Sequence, residues 1–193
     1  MLWAALRSEP LGWEKTGYEW VRSWDVPGLT GFLSAVTWIS NTTVAVAYGA
    51  VLIVALVALR RLRLAALFLA AGILDLLNST ALQALIGRPR PDPLVRAASD
   101  SFPSGHSFHS VLFFGLVVAL LLPRLHSRWS RAGLIALWLV FVLATGLSRV
   151  HLGYHLPLDV LGGYLLAGLV LGVLLFVNSR SGPKIPSPLV GEG

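Results

Sequence analysis

Five apolar runs separated by short, arginine-rich segments constrain this chain more than any other feature. They fall at about 32–59, 64–86, 107–122, 133–147 and 158–177. Runs of about this length suit the hydrocarbon core of a bilayer, the third being slightly short unless its helix takes in the Ser107 region. Inside that core each backbone N–H and C=O must be paired within the segment, so the runs are predicted to be helices. Composition agrees: 55% of the 193 residues are hydrophobic and only 12% are charged, which excludes an ordinary soluble domain. The expected fold is all-α, an integral membrane helical bundle of about five transmembrane helices with an N-terminal interfacial helix.

The arginines set the topology. Arg60, Arg61 and Arg63, then Arg124, Arg128 and Arg131, then Arg180 with Lys184, all fall on one side of such a bundle. The positive-inside rule makes that side cytoplasmic. The net charge of +6 therefore reads as membrane topology, and no nucleic-acid partner is expected. Loops 87–106 and 148–157 fall on the opposite, outer side of a cytoplasmic membrane, yet hold Arg88, Arg90, Arg96 and Arg149. Arginines kept against the charge bias are expected to have a task there.

Residues 1–30 space Trp13, Trp20 and Trp24 by seven and four, one face of an interfacial amphipathic helix, and hold no apolar leader core. Residues 31–178 form the membrane-embedded domain, and 179–193, rich in Ser, Gly and Pro, are expected to be a disordered tail. Gly168 and Gly172 are expected to let the last helix pack closely. Cysteine is absent, so neither a disulfide framework nor a thiolate metal site is available.

Two loops carry the chemistry. In the second, Ser148-Arg149 is followed by His151, Tyr154, His155, Pro157 and Asp159. Pro157 suits the first position of a helix. Asp159 then falls in the first turn, about one turn from His155, where it can hold one imidazole nitrogen and leave the other free as nucleophile or base. The segment reads equally as a helix start with a dipole-complementing Asp and interfacial His residues. In the first loop, Arg90 stands between Pro89 and Pro91, which stiffen the backbone behind a guanidinium suited to phosphate. Ser104 is a good N-cap, Gly105 admits a ligand close to the backbone, and His106 could protonate a leaving oxygen. On the second apolar run Asp75, Ser79 and Gln83 recur every four residues beside Asn78. This polar stripe is read first as interhelical hydrogen bonding, and second as a lining for a substrate headgroup or a proton path.

Together these stretches resemble the signature of the type 2 phosphatidic acid phosphatase superfamily, whose fold is shared with vanadium haloperoxidases. That signature has a Lys seven residues before Arg-Pro, then Pro-Ser-Gly-His, then Ser-Arg followed by His and Asp. The matching residues are Arg90-Pro91, Pro103 through His106, Ser148-Arg149, His155 and Asp159. The resemblance implies that His155 attacks phosphorus and forms a phosphohistidine, with Asp159 orienting it. It implies that Arg90, Arg149, Ser104 and the Gly105 N–H hold the phosphoryl oxygens, and that His106 donates the leaving-group proton. The substrate implied is a membrane lipid phosphate or diphosphate: undecaprenyl diphosphate, phosphatidic acid, phosphatidylglycerol phosphate or lipid A. No cofactor or metal is implied, and besides Asp159 the outer loops offer only Asp92 and Asp100.

Two departures stand out. Gln83 occupies the position of the family Lys, with Arg88 as the nearest cation able to take over its phosphate contact. The chain also shows five spans where family members commonly have six. A non-catalytic lipid-phosphate-binding or lipid-moving protein with a degenerate site is the alternative, favoured if Gln83 disables the site. A haloperoxidase is a second rival, disfavoured by the apolar bundle. Oligomeric state and the choice of lipid are left open.

Overall fold

The structure, a computed structural model, describes residues 9–92 and 100–180. The expected tail therefore lies outside the described residues, apart from 179 and 180, and so does Arg96. Every regular element among the described residues is helical. They are α1 Gly12–Arg22, α2 Leu29–Ile39, α3 Thr42–Ala58, α4 Leu62–Ile86, α5 Gly105–Leu121, α6 Arg128–His151 and α7 Pro157–Arg180.

Four of these, α4 through α7, are each long and apolar enough to cross a membrane, α5 with the 3-10 turn that carries it on to Arg124. The first expected span is different. It is a pair, α2 and α3, bent by 44° at a break. Asn41 explains the break, because its side chain accepts from the Thr43 N–H at 3.0 Å and so caps a new helix start. Within α4, Asn78–Leu82 forms a π turn inside the polar stripe. Gly87, at φ 65°, then ends the helix in a left-handed conformation that a side chain would disfavour.

Helix α5 lies at the centre. Its Phe108, Leu112 and Leu116 are buried with Phe68 of α4 and with Ala167 and Leu171 of α7. Leucines and valines such as Val51, Val54, Leu137 and Leu169 point outward on the bundle, as a lipid-facing surface requires. The closest packing is between α5 and α7, and it corrects the glycine expectation. Gly168 and Gly172 face open space. The close approach is one turn earlier, at Gly163, where an added Cβ would stand 2.6 Å from the Ser104 carbonyl oxygen.

Two further expectations change. Loop 148–157 is shorter than expected: α6 continues through His151 and α7 begins at Pro157, leaving 152–156 as the connection. Its polar residues are accommodated because neighbours partner them. The Ser148 and Thr37 hydroxyls lie 2.6 Å apart, and His151 lies between the Val21 carbonyl and the Thr30 hydroxyl, each at 3.1 Å. Helix α1 exposes Trp13 and Trp20 but buries Glu14 and Val21, and Trp24 falls beyond its end. It packs on α6 and α7 as part of the bundle.

The arginine clusters share one end, as their spacing predicts. Arg63 at the start of α4 donates to the Asn178 carbonyl near the end of α7, and Arg124 lines the same crevice as Asn178. The two functional loops meet at the other end.

Candidate active site

Three helix ends build the site. Ser104 caps α5, its hydroxyl 3.5 Å from the Ser107 N–H and 3.1 Å from the Ser107 hydroxyl. The Ser104 N–H donates to the Asp159 carbonyl at 2.9 Å, so the loop before α5 is stitched to the first turn of α7. Ser101 closes the loop on itself, its N–H and hydroxyl both reaching the Arg88 carbonyl at 2.8 and 3.0 Å. From the end of α6 the Arg149 carbonyl accepts from the Tyr154 and His155 N–H groups, each at 3.0 Å. That turn brings His155 back beneath Arg149.

His155, Asp159, Arg149 and Ser104 are all buried. Nε2 of His155 lies 3.3 Å from Arg90 Nη1. A guanidinium only donates, so Nε2 is the acceptor and Nδ1 carries the proton. That proton faces Asp159, whose Oδ2 is 3.6 Å from Nδ1, slightly longer than a hydrogen bond. Oδ2 also accepts from the Leu156 N–H at 2.8 Å, which fixes the carboxylate. Burial pushes the His155 pKa down to about 4, against the opposing pull of Asp159 and with help from the Arg149 charge. The imidazole is therefore neutral at physiological pH, with its lone pair on the nitrogen facing the arginines.

Arg90 is anchored by the Tyr154 carbonyl at 3.0 Å and the Asp100 carbonyl at 3.2 Å. Burial lowers its pKa from the ordinary arginine value, against the opposing pull of the Asp159 and Asp100 charges. The Arg149 guanidinium stacks 4.0 Å above the Tyr154 ring. Three buried polar atoms of the site have no hydrogen-bond partner: Arg149 Nε, His106 Nε2 and His155 Nδ1. His106 is close enough to Arg149, His155 and Arg90 to interact electrostatically with each. The site thus has two cations, a neutral nucleophilic nitrogen and a second imidazole, arranged as an oxyanion needs.

The matching sequence signature and this geometry agree with a family comparison: the model described as PAP2 superfamily matches residues 61–182. The chain belongs to the PAP2 superfamily. Over 106 residues it is 40% identical to phosphatidylglycerophosphatase B of Bacillus subtilis, covering 53% of this chain and 49% of that one. It is 34% identical over 113 residues to a lipid A 1-phosphatase of Rhizobium etli, covering 52% and 44%. The chain thus spans about half the length, or less, of these curated relatives. Among solved structures, a transmembrane PAP2-type phosphatidylglycerolphosphate phosphatase from Bacillus subtilis superposes with a TM-score of 0.78 at 24% identity, covering 88% of this chain and 86% of that one. Aquifex aeolicus LpxE gives 0.65 at 20%, covering 86% and 96%. At these identities the two structures show the fold.

Two positions of this PAP2 chain differ from expectation. Arg88 does not reach toward the phosphate-binding groups. Its Nη1 lies 2.6 Å from Asp159 Oδ1 and its Nη2 lies 2.9 and 3.0 Å from the two oxygens of Glu14. Its Nη1 and Nη2 are thus held by carboxylates, against the expectation of a phosphate contact in place of the family Lys. Gln83 is buried and donates to the Pro103 carbonyl at 2.7 Å, bracing the loop from below. Within the polar stripe Asp75 follows the first reading, its Oδ2 pairing with His109 Nδ1 at 2.6 Å while His109 Nε2 meets the Tyr48 hydroxyl, whereas the buried Asn78 amide has no hydrogen-bond partner. Ser79 sits directly under Gly105. His109 and Glu14 were not legible as partners, because their contacts cross 34 and 74 residues respectively.

Proposed function

We propose that this chain is a membrane phosphatase that hydrolyses a lipid phosphate monoester or diphosphate through a phosphohistidine. The observation that carries this is the neutral His155 Nε2 facing Arg90, beside an Arg149 that has an unpartnered buried nitrogen. Arg90, Arg149, Ser104 and the Gly105 N–H hold the three non-bridging oxygens. Nε2 attacks phosphorus as the bond to the leaving oxygen breaks, and His106 gives that oxygen a proton. Asp159 stabilises the charge that forms on His155. Water, deprotonated by His106, then breaks the P–N bond, releasing phosphate and restoring both imidazoles. Positioning and charge stabilisation supply most of the acceleration in such transfers.

A lipid substrate is supported by a groove of about 310 Å³ between α3, α4 and α5. Ala45, Gly49, Phe68 and Ile73 are among its apolar walls, and Ser79 lies at its polar end, where its hydroxyl oxygen would be 2.7 Å from a Cβ added to Gly105. In this reading the active site faces the outer side of a cytoplasmic membrane, supported by the arginine clusters at the opposite end of the bundle.

The test is phosphate release by the detergent-solubilised protein from phosphatidic acid, phosphatidylglycerol phosphate, undecaprenyl diphosphate and lipid A. Turnover should vanish in His155→Ala, fall with vanadate and survive a chelator. Equal release by His155→Ala and wild type would overturn the mechanism. Loss in EDTA that a divalent ion restores would overturn its metal-free form.

A further inference from the structure

Glu14 is the least expected buried charge in the molecule. It lies on α1, a helix that exposes Trp13 and Trp20, yet its own side chain is 0% exposed. Part of its role is local, since Oε2 accepts from the Leu11 N–H at 2.9 Å at the start of α1. An exposed Glu would do that equally well. Burial requires a stronger reason, because a carboxylate removed from water must be paired. The reason is Arg88, buried and forked between two acids. One nitrogen binds both oxygens of Glu14, at 2.9 and 3.0 Å, and the other binds Asp159 at 2.6 Å. Asp159 is in turn the carboxylate facing His155. A second α1-to-loop pair, Arg22 with Asp92 at 2.9 Å, holds the helix across the same loop. Gly17 of α1 packs near Pro157, two residues before Asp159.

We propose that Glu14 is a positioning residue: by sharing the Arg88 guanidinium with Asp159, it sets the orientation and charge that Asp159 presents to His155. The proposal rests on the phosphatase reading above for its consequence in turnover, and on the buried contacts for its geometry. A single guanidinium divided between two carboxylates neutralises each only in part. Neutralising Glu14 leaves Arg88 wholly to Asp159, so Asp159 supports positive charge on His155 less well. Removing Arg88 leaves Asp159 fully anionic but without its anchor. The two changes therefore move His155 in opposite directions. The other groups acting on this imidazole stay in place throughout: Arg149 from α6, Arg90 from the loop before α5, and His106 from α5.

The experiment uses the full chain in detergent, with Glu14→Gln, Arg88→Gln and the double variant, which restores charge balance and guards against simple misfolding. Two quantities are read: the imidazole titration of His155 by NMR without substrate, and the pH profile of kcat/KM on a lipid phosphate that the wild type turns over. Glu14→Gln should lower the His155 titration and Arg88→Gln should raise it, each by roughly one pH unit. In the Arg88→Gln background, Glu14→Gln should add nothing, because Glu14 acts only through Arg88. The variants should lose kcat with KM little changed. An unmoved titration in both single variants, or equal additive shifts in the double, would overturn the proposal. If the wild type hydrolyses none of the lipids while the titrations shift as stated, the coupling stands and the phosphatase reading fails.

Discussion

Gln83 Nε2 donates to the carbonyl oxygen of Pro103 at 2.7 Å, with both groups buried beneath the loop that leads into α5. A family Lys at this position would bring a charge, whereas Gln83 brings a brace. Its Oε1 is buried without a partner, so one side of the amide is already unsatisfied.

Replacing Gln83 therefore has two separable effects. Gln83→Met keeps the volume but leaves the Pro103 carbonyl unpaired, which should cost about 1–3 kcal/mol of stability. Thermal unfolding in detergent measures that. Gln83→Lys can keep the bond to Pro103 and adds a cation close to Gly105, where charge develops on the phosphoryl group. It should raise kcat/KM up to about tenfold, equivalent to roughly 1.4 kcal/mol. A gain of that kind alongside a stable fold is the expected pair, and a loss of activity in Gln83→Lys would show that no anion binds within reach of this position.

The pH dependence follows from His155. Its folded pKa, about 4, lies below the ordinary histidine value near 6.5. Attack requires the neutral form, so the acid limb of kcat/KM should fall near pH 4, once the substrate's own phosphate titration is separated by 31P NMR. For stability the sign is the usual one for a depressed pKa. Nothing is lost above pH 6.5, where both states hold the neutral ring. Between 6.5 and 4 the unfolded chain takes a proton that the folded chain refuses, and up to about 3 kcal/mol of stability disappears. His155→Asn should flatten that part of the stability profile. An acid limb at 6 or above would contradict the buried, neutral imidazole.

Tyr154 should matter through Arg149. The guanidinium stacks 4.0 Å over its ring, an arrangement worth about 0.5–2 kcal/mol when desolvated. Tyr154→Leu should loosen Arg149 and raise KM about two- to thirtyfold, while Tyr154→Phe, which keeps the ring face, should stay close to wild type. Steady-state kinetics on the two variants decides the matter, and equal damage in both would assign the role to the hydroxyl instead.

How much was legible in the sequence depended on the range of the interaction. Apolar runs long enough to cross a bilayer leave few alternatives to helices, so the bundle could be read directly. The meeting of Arg90, Ser104, Arg149, His155 and Asp159 at one end was legible because each residue sits beside a helix end whose side of the membrane the arginines already indicate. What failed were judgements that needed partners. Ser148, Arg149 and His151 read as part of a loop, but α6 carries all three, and Thr37, Thr30 and Val21 satisfy Ser148 and His151 from neighbouring elements. Arg88 looked available to phosphate because its two carboxylate partners lie 71 and 74 residues away. The bend between α2 and α3 has a local signal in Asn41, a side chain that caps helices readily.

The glycines of α7 give the sharpest test of the packing. Gly163 faces the start of α5: an added Cβ would lie 2.6 Å from the Ser104 carbonyl oxygen and 3.0 Å from Ser107 Cβ. The first of these is backbone, which cannot rotate away. Gly163→Ala should therefore push α5 from α7 at the point where Ser104 and Gly105 sit. Overpacking of this kind costs about 1–3 kcal/mol, and an ångström of displacement in the phosphate-holding groups should lower kcat by about a hundredfold. Gly168→Ala is the control, because its Cβ would meet nothing within 4 Å. There the substitution should be neutral or stabilising by up to about 1 kcal/mol, since alanine favours a helix interior over glycine. Thermal unfolding and phosphate release on the two variants side by side make the comparison. If Gly168→Ala proved the damaging one, the register of α5 against α7 would have to shift by more than a turn.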